Sequence, residues 1–222
     1  MVVERTGTGA VRSRGRPSAS GSGPAVPDEA EVLLRGMEAF AELGYDRTSA
    51  RELARRLGVS HNFINDRYGS KANFWRTVVD WALSEAQRQR ETIPKVGMDD
   101  GELVRAIIVQ FYQTAVKTPL LGRLLADEFA RESERLDYLF DNYVAPSLAL
   151  VEPAMERLVK AGRVPPVPMD VLFFAVISPV AGLVQLPLAS RLGRKQPITA
   201  KSQAKTAQRL ADLIVDGLLG RP

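Results

Sequence analysis

No cysteine occurs in the 222 residues, so neither a disulfide nor thiolate chemistry is open to the chain. That suits a reducing cytosol, and a cytoplasmic location is expected. The single histidine, His61, has no second histidine and no cysteine with which to share a metal. There is no Gly-rich phosphate loop and no histidine beside a candidate nucleophile. An enzyme is therefore not expected, and no catalytic residue, metal or cofactor is assigned. The acidic pair Asp127-Glu128 falls in a helical stretch and reads as solvated surface. The N-terminal stretch lacks the apolar core of a signal peptide. One uncharged run, residues 171–190, has the length of a membrane span. Pro179, Gln185 and Pro187 interrupt it and no second such run exists, so membrane insertion is not expected.

What is present is ordinary for a globular protein: 45% hydrophobic and 25% charged residues, in a chain long enough for two helical domains or one large one. The net charge is only +4, but it is unevenly placed. Residues 28–46 hold one arginine against six acids, a net of −5. Residues 47–76 hold seven Lys/Arg against two acids, a net of +5. A basic block of that kind is the electrostatic footprint of phosphate binding.

Within the basic block, residues 49–71 read SARELARRLGVSHNFINDRYGSK. Ser49 and Glu52 have capping-box spacing, so a helix starts near Ala50. Leu53, Ala54 and Leu57 recur at helical spacing and face inward. Gly58 fits a left-handed cap. Ser60 is placed to cap a second helix over 61–68, with Ile64 inward and His61, Asn62, Asn65 and Arg67 outward. Small Ala54 permits a close crossing, and the pair reads as a helix-turn-helix.

The neighbours sharpen this. Residues 31–45 read EVLLRGMEAFAELGY, with Phe40, Gly44 and Tyr45 closing a first helix. Thr48-Ser49, Leu-Gly-Val-Ser at 57–60 and Gly-Ser-Lys at 69–71 follow. Together, over residues 30–81, these resemble the N-terminal domain of the TetR family of transcriptional regulators. The resemblance implies an all-α chain: a three-helix DNA-binding domain, then a helical ligand-binding and dimerisation domain. It places the second helix of the motif in the major groove, with DNA contacts from Ser49, Arg51, His61, Asn62, Phe63, Asn65, Arg67 and Lys71. Ser49 and Lys71 suit phosphates. Arg51 and Asn62 suit base edges, and Phe63 suits a thymine methyl. The family usually has Tyr at the position of Asn65, and Tyr or His at that of Arg67. Asn65 loses an aromatic phosphate contact that Arg67 replaces with a charged one. Asp66 repels phosphate unless it accepts from cytosine or pairs with Arg67.

Around this motif, residues 1–27 are rich in Gly, Ser and Pro and are expected to be a disordered arm. Its Arg12, Arg14 and Arg16 have the chemistry to lie in a minor groove; a plain tail is the equal alternative. The DNA-binding domain is expected over 28–90. It includes a helix over 28–43 with Val32, Leu33, Met37 and Phe40 inward, and one over 71–90 with Phe74, Trp75, Val78, Val79 and Trp81 as its apolar surface. The second domain, 98–222, is expected to hold helices over 100–117, 119–131 and 134–161, the last broken or kinked at Pro146 and Pro153. A final helix over 199–219 presents Ala207, Leu210, Leu213, Ile214 and Leu218.

The resemblance makes 171–190 and 199–219 the eighth and ninth helices, buried between two subunits of a homodimer. It also implies a pocket, with Phe111, Tyr112, Phe129, Tyr138, Tyr143, Phe173 and Phe174 as candidate lining for a hydrophobic small-molecule effector. The reading is a repressor released from a palindromic double-stranded DNA operator by such a ligand. A DNA-binding dimer with no effector remains the alternative. The segment 191–209, with six Lys/Arg and no acid, reads as a solvated loop and helix start.

Overall fold

Asp28 opens the first helix: its carboxylate accepts the Glu31 amide at 2.7 Å, and α1 (Glu29–Leu43) runs on to Gly44. The computed structural model describes residues 28–91, 97–195 and 197–220, and every regular element among these is helical. The expected arm with Arg12, Arg14 and Arg16 lies outside the described residues. Next come α2 (Ala50–Leu57), α3 (Phe63–Tyr68) and α4 (Lys71–Glu91). The apolar residues of α1 and α2, with Ile64 of α3, close on Phe74, Trp75, Val78 and Val79 of α4, all four fully buried. Trp81 departs from the expected stripe: it is 36% exposed, and Ala82 takes the inward place.

Two capping signals have different outcomes. The Ser49 hydroxyl accepts the Glu52 amide at 3.1 Å, as its spacing predicts, although the Glu52 side chain turns to arginines instead of closing the box. Ser60 does not cap α3. His61 and Asn62 form a turn in which the Ser60 carbonyl accepts the Phe63 amide at 3.1 Å, and α3 begins only at Phe63. Six residues allow few helical bonds, so the start of α3 is decided by the turn and not by a cap.

Beyond α4, Asp99 and Glu102 form both bonds of a capping box on α5 (Asp100–Ala115), and Pro119 starts α6 (Pro119–Phe129). Ser133 caps α7 (Glu134–Leu139), which passes through one π turn, Phe140–Val144, into α8 (Ala145–Lys160). The expected break at Pro146 is thus replaced by a wide turn in which the Ala145 amide reaches back to the Phe140 carbonyl. A wide turn makes room for the proline ring just where an amide is missing. Pro153 is carried inside α8 on its exposed side, where water can serve the Ala149 carbonyl that lacks a donor.

The uncharged run is not one helix. It is α9 (Met169–Ile177), a 3-10 turn (Ser178–Val180), α10 (Ala181–Val184) and α11 (Leu186–Arg191), with breaks at Pro179 and before Pro187. Among the described residues no helix is long and apolar enough to cross a membrane. The last helix, α12 (Ala200–Leu219), lays Ala207, Ala211 and Val215 against α5. Leu213, expected on the apolar face offered to a second subunit, is 69% exposed in the single chain.

The apolar clusters do not divide at residue 98. Leu121 and Leu124 of α6 and Leu139 of α7 belong to the cluster of α1–α4, while α5, α8, α9, α10 and α12 form a second one. Polar groups fasten the same seam. Glu128, on α6, is only 3% exposed, which corrects its reading as solvated surface. Arg135 donates to it at 2.8 Å and stacks on the Tyr45 ring at 3.9 Å. Arg131 joins Asp127 at 3.0 Å and Asp46 at 3.5 Å. Asp80 of α4 accepts from the Tyr138 and Tyr143 hydroxyls at 2.6 and 2.5 Å.

Removing Arg135 strands a carboxylate that burial already pushes above its ordinary pKa. Arg135→Met is expected to cost about 3–5 kcal/mol at neutral pH, read by urea unfolding. Folded Glu128 then holds a proton where unfolded Glu128 has lost it. The loss should therefore shrink as pH falls toward the carboxylate range and grow as pH rises. In the same assay Ser49→Ala should cost about 1 kcal/mol, and Ser60→Ala less than about 0.5 kcal/mol. Equal losses would contradict the caps described.

Candidate nucleic-acid interface

The turn between α2 and α3 rests on Gly58, whose φ of +71° is the left-handed conformation that a side chain disfavours. Its amide bonds back to Ala54 and Arg55, and the Val59 amide reaches the Ala54 carbonyl at 3.0 Å. Ala54 is 2% exposed and Ile64 fully buried, so both face inward as the spacing predicts.

On the outer side, Ser49, Arg51, Arg55 and His61 share one shallow depression of about 420 Å³. Arg51 is exposed and makes no hydrogen bond or ion pair with a described residue. His61, Asn62 and Asn65 are exposed; Phe63 is half-buried. Six of the eight expected contacts thus lie along α2, the turn and α3 with their polar groups turned outward or, for Ser49, committed to the cap. Glu52, between Arg55 and Arg56, has its pKa held down to about 2 by hydrogen bonds from both. It stays ionised at neutral pH and offsets much of their charge.

Arg67 and Lys71 are placed differently. Arg67 pairs with Glu29 of α1, not with Asp66, and lies over the rings of Phe63 and Tyr68 at 5.8 and 5.9 Å. Lys71 donates to the Tyr45 carbonyl at 3.1 Å and sits 3.9 Å from the Tyr45 ring centre, with burial lowering its pKa. Its ammonium ties α4 to the loop between α1 and α2. Neither partner was visible in the sequence: Glu29 is 38 residues from Arg67, and Tyr45 is 26 from Lys71. No periodicity links residues so far apart.

The seven aromatics expected around a ligand do not converge. Phe129, Tyr138 and Tyr143 pack on the first apolar cluster, Phe111 and Tyr112 in the second. Tyr112 is fully buried and donates to the Val176 carbonyl at 2.7 Å, and burial pushes its pKa up to about 12. Phe173 and Phe174 meet edge to face, with Phe174 58% exposed. An open depression of about 580 Å³ lies instead between the end of α8 and the start of α9. Met155, Val159, Pro165, Pro166, Met169 and Leu172 line it, and none of the seven aromatics does. Among the described residues no group of three or more His, Asp or Glu could hold a metal ion.

Residues 32–76 match the family model described as bacterial regulatory proteins, tetR family. A stretch of 52 residues is 38% identical to the uncharacterized HTH-type transcriptional regulator YezE of Bacillus subtilis (strain 168). The match covers 23% of this chain and about a quarter, 27%, of that relative's length. Solved structures match over most of the chain. The TetR family transcriptional regulator PfmR from Thermus thermophilus superposes with a TM-score of 0.61 at 18% identity, over 88% of this chain and 99% of that one. FadR from Bacillus subtilis, in complex with stearoyl-CoA, gives 0.61 at 12% identity, over 86% and 100%. HlyIIR, a hemolysin II transcriptional regulator, gives 0.59 at 18%, over 86% and 97%. Residues 32–76 thus match the tetR-family model, and most of the chain shares its fold with solved transcriptional regulators of that family.

Proposed function

We propose that the protein is a sequence-specific DNA-binding transcriptional regulator that acts as a homodimer, a repressor that a small apolar ligand releases from a palindromic operator. Residues 28–90 bind DNA in this reading, and 98–222 dimerise and sense. The observation that carries it is the α2–turn–α3 geometry: two short helices joined at left-handed Gly58, with Ala54 and Ile64 buried and Arg51, His61, Asn62 and Asn65 outward.

A recognition helix of six residues reads few base pairs, which argues for two copies across a two-fold axis. The exposed apolar residues support the same conclusion. Val171, Phe174, Leu188, Leu192 and Leu213 are 50–80% exposed and lie on α9, α11, the turn after α11, and α12. Exposed apolar side chains on the two helical segments proposed to pair between subunits suit cover by a second copy. The ligand reading rests on FadR's complex with stearoyl-CoA and on the open depression beside α9, whose lining mixes Met155, Val159, Met169 and Leu172 with Glu152, Glu156 and Lys160. Release follows if the ligand favours the subunit arrangement that cannot span both half-sites. The effector-free dimer is the second reading, favoured by aromatics already engaged in packing.

Titration of labelled upstream DNA should give palindrome-dependent affinity that falls by orders of magnitude between about 50 and 200 mM salt. Arg51→Ala should weaken operator binding by about 1–3 kcal/mol; an unchanged affinity sinks the base-reading role of Arg51. By sedimentation, Phe174→Asp with Leu213→Asp should convert a dimer to a monomer and abolish palindrome dependence. A stearoyl thioester that binds without changing operator affinity would leave the effector-free reading.

A further inference from the structure

The recognition helix carries one cation that the sequence offers to DNA and the structure withholds. One carboxylate, Glu29, in the first turn of α1, takes both side chains at the end of α3. The Arg67 guanidinium pairs with its Oε2, and the Tyr68 hydroxyl donates to its Oε1 at 2.9 Å. Arg67 is folded back over Phe63 and Tyr68, whose rings meet edge to face at 6.3 Å. Tyr68 in turn meets the ring of buried Phe74 at a tilt, 4.7 Å between centres. The arginine is thus held from two sides: by a charge on a neighbouring helix and by its own helix's aromatic rings.

Both partners of the pair are nearly half exposed, at 46% and 43%. An exposed ion pair contributes little to stability, so its presence says little about holding the fold. Its effect on a polyanion is larger. Arg67 bound to Glu29 presents no net charge, and a phosphate that takes Arg67 must come close to the freed carboxylate and to Asp66 beside it. Sequence-independent DNA affinity is set by the number of phosphates neutralised, so withholding one cation lowers that affinity whatever the sequence.

We propose that Glu29 is a positioning residue for the recognition helix: it holds Arg67 away from the phosphate backbone and so restrains sequence-independent DNA binding. This rests on the DNA-binding reading above. It also assigns a role to Arg67 opposite to that of a phosphate contact.

The test uses the full chain with a random-sequence duplex and the upstream duplex, titrated by fluorescence anisotropy over a series of salt concentrations. Glu29→Gln keeps the side-chain length and an oxygen for the Tyr68 hydroxyl. It should tighten binding to the random duplex by roughly 5- to 10-fold near 0.1 M salt and steepen the slope of log affinity against log salt by about 0.9. Arg67→Gln alone should leave the wild-type slope unchanged, and the double variant should behave as Arg67→Gln. A flatter slope in Arg67→Gln would overturn the proposal, since Arg67 would already be on a phosphate; this arm stands even if Glu29→Gln fails to fold. A slope unchanged in folded Glu29→Gln also overturns it. Wild-type protein that binds no duplex would remove the DNA-binding reading itself, and the proposal with it.

Discussion

A carboxylate that is 3% exposed cannot remain charged without a cation at hydrogen-bond distance, and for Glu128 that cation is Arg135. Much of the molecule's arrangement depends on this requirement. Arg135 reaches Glu128 only by lying flat on Tyr45, and the carbonyl and ring of Tyr45 hold Lys71 at the start of α4. A single residue of the loop between α1 and α2 therefore contacts the helix that leads away from the DNA-binding motif and the helix pair α6–α7 above it. The surrounding charges follow the same line: Asp46 and Asp127 take Arg131, and Gly44 is where a Cβ would meet Asp127 at 3.0 Å. The loop is short of space as well as of free charge.

Counting charge along the chain finds a net of −5 over 28–46 and +5 over 47–76, and from that alone the second block looks available to phosphate. The structure sets the two blocks against each other. Arg56 pairs with Glu42, and Arg67 with Glu29, each across from the basic block to the acidic helix. Arg55 and Arg56 share Glu52. Arg47 donates to the Leu43 carbonyl at 2.8 Å. Two of the seven cations that the sum counts, Arg56 and Arg67, are thus drawn to carboxylates of α1, and Arg47 to its last carbonyl. Arg51 is the basic side chain of the motif that this pairing leaves aside, which is why its substitution is the sharper probe of base reading. Affinity for DNA depends on charges that a phosphate can reach, not on formal totals.

The parts legible in the sequence are those where one residue's chemistry decides locally. Gly58 in the left-handed region, the Asp99–Glu102 box, the Ser49 cap and the inward Ala54 and Ile64 all follow from side-chain size or hydrogen-bonding groups within a few residues. The misreadings share the opposite character. Glu128 read as solvated because its partner is seven residues on, in another helix, and because α1 packs against α6 from far away in sequence. Prolines read as breaks, yet Pro146 is accommodated by a π turn whose cost is a single register step. Trp81 fell on an apolar stripe whose inner edge the neighbours, and not the stripe, determine: Ala82 takes the inward place. The candidate ligand aromatics failed to gather for the same reason. Helical spacing shows that Tyr112 and Tyr138 face inward, but not that they face different interiors.

That division bears on how a signal could travel in the proposed regulator. The depression beside α9 belongs to the second apolar cluster, whereas α6 and α7 belong to the first with the DNA-binding helices. A ligand there would act on α8 and α9, and α8 is continuous with α7 through the π turn. The π turn carries Tyr143, whose hydroxyl donates to Asp80 of α4 beside that of Tyr138. A shift in this turn would move the Tyr143 hydroxyl relative to Asp80, while Tyr138 stays on α7. π turns occur mostly as single turns inside α-helices, frequently at functional sites. The π turn is thus one link between the two clusters, beside the packing of α4 on α5. Its strength is bounded by linkage: a ligand shifts the operator equilibrium only by its own difference in affinity between the two arrangements.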